Sequence, residues 1–383
     1  MSMQTSQSTI NEKLQQVLNE RKETSLYRYL QVQEGLIDFC SNDYLGFARS
    51  QKIKERIKRY AAEIPGLTGS TGSRSISGNT LFTEQLEKKL AAFHNAEAAL
   101  LFNSGYDANV GFFSSIAGKN DTLICDELIH ASIIDGCRLS YASRFKFAHN
   151  DLDDLEKKLK QAKGNIFVAV ESVYSMDGDI APLNDMAAIC NVYNANLVVD
   201  EAHATGVFGK NGRGLVNEYK LEKQVFARIH TFGKAIGCHG AIIAGSETLR
   251  SYLINFARSF IFTTALPLHS LIAIDSAYEE LSSTGFDNSY LSQLIHYFKK
   301  DFFTHPEIFL KESSSPVQSL IIPGNKRVRS VSRQLQAKGL DVRAIVSPSV
   351  PPGKERLRIS LHIHNTIEQV DLLKQSLKEI AFT

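Results

Sequence analysis

Two residues of opposite charge, Lys234 and Asp200, form a pair that could hold an aldehyde cofactor. Lys234 lies in the segment TFGKAIG, residues 231–237, and Asp200 ends the apolar run 197–199. An amine binds an aldehyde as a Schiff base, and a carboxylate keeps a ring nitrogen protonated. The pair therefore fits the needs of pyridoxal phosphate. Either residue alone is more often a solvated loop cation or a turn and helix-cap residue.

A turn between a predicted strand and a predicted helix indicates a phosphate site. Ser104, Gly105 and Tyr106 follow the apolar run 98–102 and precede the helical stretch 107–116. Free backbone amides and the positive end of a helix would meet there, which suits an anion, although an ordinary turn uses the same residue types. No glycine-rich run has P-loop or dinucleotide spacing, so nucleoside triphosphate chemistry is not indicated.

Further polar residues follow predicted strands or their first turns. His130 and Ser175 are placed in this way, like Ser104 and Asp200, and ligands of open parallel sheets bind beyond the carboxyl ends of strands. His203 lies three residues after Asp200, and Arg358 lies on a probable strand, where its guanidinium could hold a carboxylate. A structural histidine and an exposed strand cation are the simpler interpretations of these residue types.

The elements that must position these residues alternate between strand and helix through the middle of the chain. Such alternation predicts a mainly parallel sheet covered on both faces. The predicted helices include 51–60, 80–93, 152–163, 183–193 and 267–281. The predicted strands are 98–102, 122–125, 145–148, 166–170, 197–200, 229–232 and 241–244.

The two ends of the chain have different patterns. A capping box from Thr9 to Glu12 predicts an amphipathic N-terminal helix. After residue 285 the sequence predicts helices at 290–303, 328–338 and 367–380, with strands at 317–322 and 357–361. We therefore expect an α/β protein with an N-terminal arm (1–46), a large domain (47–284) and a smaller C-terminal α+β domain (285–383).

Composition excludes several other classes of function. The 383 residues are 43% hydrophobic and 22% charged, with a net charge of +2 and no long basic block, so nucleic-acid binding is not indicated. Five scattered cysteines without metal-ligand spacing favour a reduced compartment and no metal site. No signal peptide or bilayer-length apolar run is visible, so we expect a cytoplasmic protein without membrane contact.

Taken together, these segments resemble the α-oxoamine synthases, a family of fold-type I pyridoxal phosphate enzymes built like aspartate aminotransferase. The resemblance covers nearly the whole chain. The segments that carry it are NDYLG (42–46), GSTGSR (69–74), SGYDAN (104–109), HAS (130–132), SMDGD (175–179), DEAH (200–203), TFGK (231–234) and RLR (356–358). One position departs from the family pattern, since Thr83 stands where the family usually has His.

The resemblance implies roles for individual residues. Lys234 would bind the cofactor aldehyde, Asp200 its ring nitrogen, and His130 its ring face, while His203 and Ser175 would lie near the ring hydroxyl. Phosphate contacts would come from Ser104, Gly105, Tyr106 and Thr231, joined by Thr263 or Thr264 of a second subunit in a homodimer. The substrate contacts would be Arg358, Asn42 and Arg21.

The reaction implied is decarboxylative condensation of an amino acid with an acyl thioester, with Lys234 as the base. Segments 147–151, 175–183 and 350–353 favour the branch that joins alanine to a pimeloyl thioester in biotin biosynthesis. The glycine C-acetyltransferase branch, serine palmitoyltransferase and 5-aminolevulinate synthase remain alternatives within the family. An aminotransferase and a pyridoxal-binding protein without turnover remain alternatives from other classes.

Overall fold

A computed structural model describes residues 9–24, 26–30, 32, 34–63 and 68–381. Residues 1–8 of the expected arm lie outside the described part. The first eight strands are β1 (Ile37–Asp38), β2 (Ala98–Phe102), β3 (Thr122–Asp126), β4 (Ser143–Phe147), β5 (Ile166–Glu171), β6 (Asn196–Asp200), β7 (Val225–Thr231) and β8 (Ala241–Gly245). The others are β9 (Phe309–Leu310), β10 (Val317–Ile321), β11 (Leu340–Asp341), β12 (Arg343–Ile345) and β13 (Arg356–Ser360).

A seven-stranded sheet forms the centre of the molecule, with the strand order β2-β8-β7-β6-β5-β3-β4. Strands β3 to β7 run parallel to one another, and β8 runs antiparallel to both of its neighbours. The inner strands β3 and β5 are buried along their length, as expected of a sheet that helices cover on both faces. The predicted strand at 229–232 begins earlier, at Val225, and ends at Thr231.

Helices pack on both faces of this sheet and on the smaller one. The first seven are α1 (Ile10–Glu23), α2 (Gln51–Glu63), α3 (Leu81–Phe93), α4 (Gly105–Ser115), α5 (Ala131–Leu139), α6 (Leu152–Leu159) and α7 (Leu183–Val192). The others are α8 (Leu215–Glu218), α9 (Glu247–Phe256), α10 (Arg258–Ile261), α11 (Leu268–Leu281), α12 (Ser289–Lys299), α13 (Asn325–Ala337) and α14 (Ile367–Ala381). The predicted capping box is confirmed, because Thr9 and Glu12 hydrogen-bond each other's backbone amides.

The C-terminal part has a four-stranded antiparallel sheet with the order β12-β13-β10-β9. The segment that follows α1 joins this part of the molecule: β1 pairs with β11, and the amide of Ser360 donates to the carbonyl of Phe39. This pairing brings residues 42–44 beside β13. We propose that the N-terminal arm ends at residue 46 and that the large domain ends at residue 284.

None of the helices in the described ranges combines the length and the apolar character that a bilayer span requires.

Candidate active site

A cavity of about 220 Å³ lies beyond the carboxyl ends of β5, β6 and β7. Strand ends supply Glu171, Asp200 and Thr231, and the loops after them supply Ala202 and Lys234. The cavity brings together most of the predicted site: Asn42, Ser104, Gly105, Tyr106, His130, Asp200, Thr231 and Lys234. The rule that ligands bind at the carboxyl edge of a sheet therefore located this cavity.

Lys234 lies in the loop after β7, with Nζ 2.8 Å from Nε2 of His203. Burial lowers the pKa of Lys234 to about 8, against the opposing charge of Asp200. Burial also lowers the pKa of His203 well below its usual range, with the charge of Lys234 adding to the effect. Lys234 therefore loses its proton more readily than an ordinary lysine, and the neutral amine is the form that attacks an aldehyde.

Asp200 ends β6 and is held by two donors. Its Oδ2 accepts a hydrogen bond from Nδ2 of Asn109 at 2.8 Å, and its Oδ1 accepts one from the amide of Ala202 at 2.9 Å. Only 4% of Asp200 is exposed, so a cation or a further donor in the cavity would stabilise its charge. The protonated ring nitrogen of a bound cofactor is a donor of this kind.

His130 forms one wall of the cavity and also the N-cap of α5. Its Nδ1 accepts from the amide of Ser132 at 3.2 Å and lies 2.7 Å from the hydroxyl oxygen of that residue. These contacts orient the imidazole ring. Burial lowers the pKa of His130, so the neutral ring is favoured and offers a flat face for a cofactor ring.

The turn before α4 has the features of a phosphate site. Ser104 is the N-cap of α4, and its Oγ accepts from the amide of Asp107 at 3.1 Å. A Cβ atom at Gly105 would come within 2.3 Å of Cγ2 of Thr231, so the backbone approaches β7 closely there. The buried Oγ1 of Thr231 has no hydrogen-bond partner among the described residues. Backbone amides, a helix N-terminus and an unpartnered hydroxyl suit a phosphate.

The guanidinium of Arg358 lies near enough to Lys234 for its charge to act on the lysine. Nε of Arg358 donates to the carbonyl of Ser175 at 2.7 Å, and Nη2 donates to Oδ1 of Asn42 at 2.9 Å. The hydroxyl of Tyr44 joins this group to the lysine, because it lies 2.7 Å from Nδ1 of His203. No carboxylate in the described ranges forms an ion pair with Arg358, which leaves its charge available for a substrate carboxylate.

Comparisons with known proteins identify the family. A model described as aminotransferase class I and II matches residues 34–375. An 8-amino-7-oxononanoate synthase from Emericella nidulans is 43% identical over 394 residues, covering 96% of this chain and 95% of the relative. The chain belongs to the α-oxoamine synthases.

Solved structures agree with this membership and with a fold-type I architecture. An 8-amino-7-oxononanoate synthase from Francisella tularensis has a TM-score of 0.76 and 32% identity, over 91% of this chain and 98% of that one. A serine palmitoyltransferase solved with pyridoxal phosphate has a TM-score of 0.88 and 25% identity, over 98% of this chain and 100% of that one. This α-oxoamine synthase is a pyridoxal phosphate-dependent acyltransferase.

The residues of the cavity fit pyridoxal phosphate. Lys234 supplies a partly neutral amine and Asp200 a buried carboxylate. The turn at Ser104 and the unpartnered hydroxyl of Thr231 offer donors for the phosphate. These features all line one cavity, as a cofactor with an aldehyde, a ring nitrogen and a phosphate requires.

Six predicted site residues do not line this cavity in the single chain: Arg21, Ser175, His203, Thr263, Thr264 and Arg358. Arg21 is on the exposed helix α1. The hydroxyl of Thr263 and the carbonyl of Thr264 both accept from Nδ2 of Asn103, beside the phosphate turn. Ser175 lines an adjoining cavity and reaches the site through its contacts with Arg358 and Glu171. Thr83 is buried in the first turn of α3, with its hydroxyl 2.8 Å from that of Thr80.

Four residues with a structural part in the site were not predicted as site residues: Asn109, Ser132, Tyr44 and Glu171. The first three lie in segments that carry the family resemblance. Their part in the site is visible only from their contacts with Asp200, His130 and His203, respectively. Glu171 had a clear signal in the sequence, since it directly follows the predicted strand 166–170. The rule that led to Asp200 applies equally to this residue.

Proposed function

We propose that this enzyme condenses L-alanine with a pimeloyl thioester, carried on coenzyme A or on a carrier protein. The products would be carbon dioxide, the free thiol and 8-amino-7-oxononanoate, an intermediate of biotin biosynthesis. The proposal is carried by a cavity lined by Lys234 and Asp200, with Arg358 held against its wall through Asn42. The chain is also 43% identical to a synthase of that name.

Pyridoxal phosphate, when bound, supplies an electron sink that stabilises negative charge at the α-carbon of an amino acid. We propose that Asp200 keeps a proton on the ring nitrogen and that His130 packs on the ring face. Ser104, Gly105, Tyr106 and Thr231 would hold the phosphate. His203 and Ser175 would contact the ring hydroxyl.

Lys234 would serve as the base at the α-carbon of the bound amino acid. The low pKa of Lys234 and its neutral neighbour His203 allow the amine to take a proton from the α-carbon and return it later. Arg358 would hold the substrate carboxylate, with Asn42 fixing the guanidinium through its 2.9 Å contact. Arg21 of one subunit would contact the substrate only in the site of a neighbouring subunit.

We further propose a two-fold homodimer in the cytoplasm. Ile10, Leu14 and Val17 of α1 are each more than half exposed, which favours coverage of this helix by a second subunit. Thr263 or Thr264 would then complete the phosphate site of the partner. Light scattering should show a dimer, and full activity from a monomeric species would contradict the proposal.

The test is thiol release from a grid of two amino acids and two thioesters. Alanine with pimeloyl-CoA should react fastest, and Lys234→Ala should release no thiol above background. A preference of about tenfold or more for glycine with acetyl-CoA would instead indicate a glycine C-acetyltransferase. Conversion of the cofactor to its amine form without thiol release would indicate an aminotransferase. Cofactor binding without either product would indicate a non-catalytic protein.

A further inference from the structure

A second cavity, of about 400 Å³, adjoins the site and shares His130 with it. This volume is within the usual range of pockets that hold small ligands. Glu127 and Leu128 are exposed at its mouth, whereas Tyr174 and Arg356 are buried at its inner end.

The walls of this cavity are largely apolar. They come from the start of α5, the loop before it, the segment after β5, and the loop that precedes β13. The apolar side chains are Leu128, Ile129, Ala131, Ile134, Met176, Val350 and Pro351. A hydrocarbon chain that extends from the reacting centre past His130 would be removed from water here.

Glu127 and Asp177 are the carboxylates that line the cavity, and Arg356 is its cation. It pairs with Asp177, which is 2% exposed. Nζ of Lys311 also lies 3.1 Å from Oδ2 of Asp177. Two cations therefore share one carboxylate, and Asp177 would keep a partner if Arg356 turned toward a ligand.

We propose that this cavity binds the acyl chain of the thioester, with Arg356 binding the far carboxylate of a dicarboxylic acyl group. The inference rests on the proposed condensation and adds the residues that select its acyl substrate. An acyl chain with a carboxylate at its far end matches an apolar cavity that ends at a cation. A short acyl group would contact neither the apolar walls nor Arg356.

The first test compares two acyl groups of equal carbon number, pimeloyl-CoA and heptanoyl-CoA, with alanine as the second substrate. In Arg356→Gln, Asp177 retains Lys311, and the pimeloyl-to-heptanoyl ratio of kcat/KM should fall about tenfold or more. The matched control is Arg327→Gln, which removes an exposed guanidinium paired with Glu307 and should leave the ratio unchanged. Equal losses on both thioesters would mean a purely structural role for Arg356 and would overturn the proposal.

The second test fills the cavity. The chain contains no Trp, so Ile134→Trp both narrows the passage and introduces a single indole reporter. The pimeloyl-to-acetyl ratio of kcat/KM should fall about tenfold, and pimeloyl-CoA should change the indole fluorescence of the cofactor-free protein. Leu139→Trp, on the exposed face of the same helix, is the control that should show neither effect.

An unchanged acyl ratio in Ile134→Trp, together with fluorescence that does not respond to pimeloyl-CoA, would overturn the acyl subsite. Failure of the wild-type enzyme to release thiol from any thioester would instead refute the proposed condensation. The fluorescence titration separates these two outcomes, because it measures binding of the acyl group without turnover.

Discussion

Glu171 and Asp200 are register partners on the adjacent parallel strands β5 and β6, and both carboxylates line the same cavity. Burial raises the pKa of Glu171 to about 8, with the charge of Asp200 as a further cause. Asp200 accepts hydrogen bonds from Asn109 and Ala202. Oε2 of Glu171 accepts one from the amide of Ser175, and its Oε1 has no partner in the described part of the chain. Near neutral pH, Glu171 therefore holds a proton.

This assignment predicts how Glu171→Gln changes the pH dependence of stability. The carboxyl group ionises near pH 4.5 in the unfolded chain but near pH 8 in the folded one. The wild-type protein therefore loses stability as the pH rises from about 4.5 to 8, because only the unfolded state releases this proton. The amide variant lacks this loss, so it should gain stability relative to wild type between pH 5 and pH 8.

Thermal unfolding of cofactor-free wild type and Glu171→Gln at pH 5 and pH 8 measures this gain in stability. The expected gain is on the order of a few kcal/mol. Glu63→Gln, at an exposed site on α2, should show no such pH dependence. A stability difference between Glu171→Gln and wild type that is the same at pH 5 and pH 8 would contradict the protonated state of Glu171.

Asp200→Asn should bind the cofactor yet lose most of the reaction rate. The amide cannot keep the ring nitrogen protonated, so carbanion formation should slow on the order of a thousandfold, or about 4 kcal/mol of barrier. The rate of thiol release at saturating cofactor measures the effect, with the exposed Asp185→Asn as the control. Near-normal turnover in Asp200→Asn would refute the role given to this carboxylate.

Gly105→Ala should weaken cofactor binding. The added Cβ would lie 2.3 Å from Cγ2 of Thr231, so the turn must shift away from β7 and its amides must move with it. We expect the dissociation constant to rise about tenfold or more, measured by titrating cofactor-free protein. In Gly118→Ala the nearest atom is 3.5 Å away, so this control should bind as wild type does. Equal affinities of wild type, Gly105→Ala and Gly118→Ala for the cofactor would mean that the phosphate does not bind at this turn.

Tyr44→Phe should impair use of the amino acid. The fully buried hydroxyl bonds His203 at 2.7 Å and Asn42 at 3.1 Å, and its loss leaves both groups short of a partner. A cost of about 1–3 kcal/mol corresponds to a loss of about fivefold to a hundredfold in kcat/KM for alanine. Tyr141→Phe removes an exposed hydroxyl and should have no effect. Unchanged kinetics in Tyr44→Phe would show that this contact does not organise the site.

Local patterns in the sequence predicted the central strands and the residues at their ends. The apolar run before Asp200 and the turn at Ser104 are local signals, and both lie where expected. The antiparallel direction of β8 could not be predicted in this way, because an apolar strand has the same residue pattern in either direction.

Contacts between distant parts of the chain could not be predicted from local sequence patterns either. The link from Asn42 to Arg358 depends on the pairing of β1 with β11, which lie about 300 residues apart. Helix α5 was missed because Gly136 weakens its helical pattern. The structure explains this glycine, since a Cβ there would lie 2.9 Å from the carbonyl oxygen of Asn109 on α4.

The central claim is that Lys234 is the residue that binds pyridoxal phosphate covalently. Borohydride reduction of the cofactor-loaded protein, followed by proteolysis and mass spectrometry, identifies the lysine that carries the cofactor. Lys234 should carry the pyridoxyl group, Lys234→Ala should carry none, and the exposed Lys210→Ala should be labelled as wild type is. A pyridoxyl group on any other lysine of the wild-type protein would contradict the account.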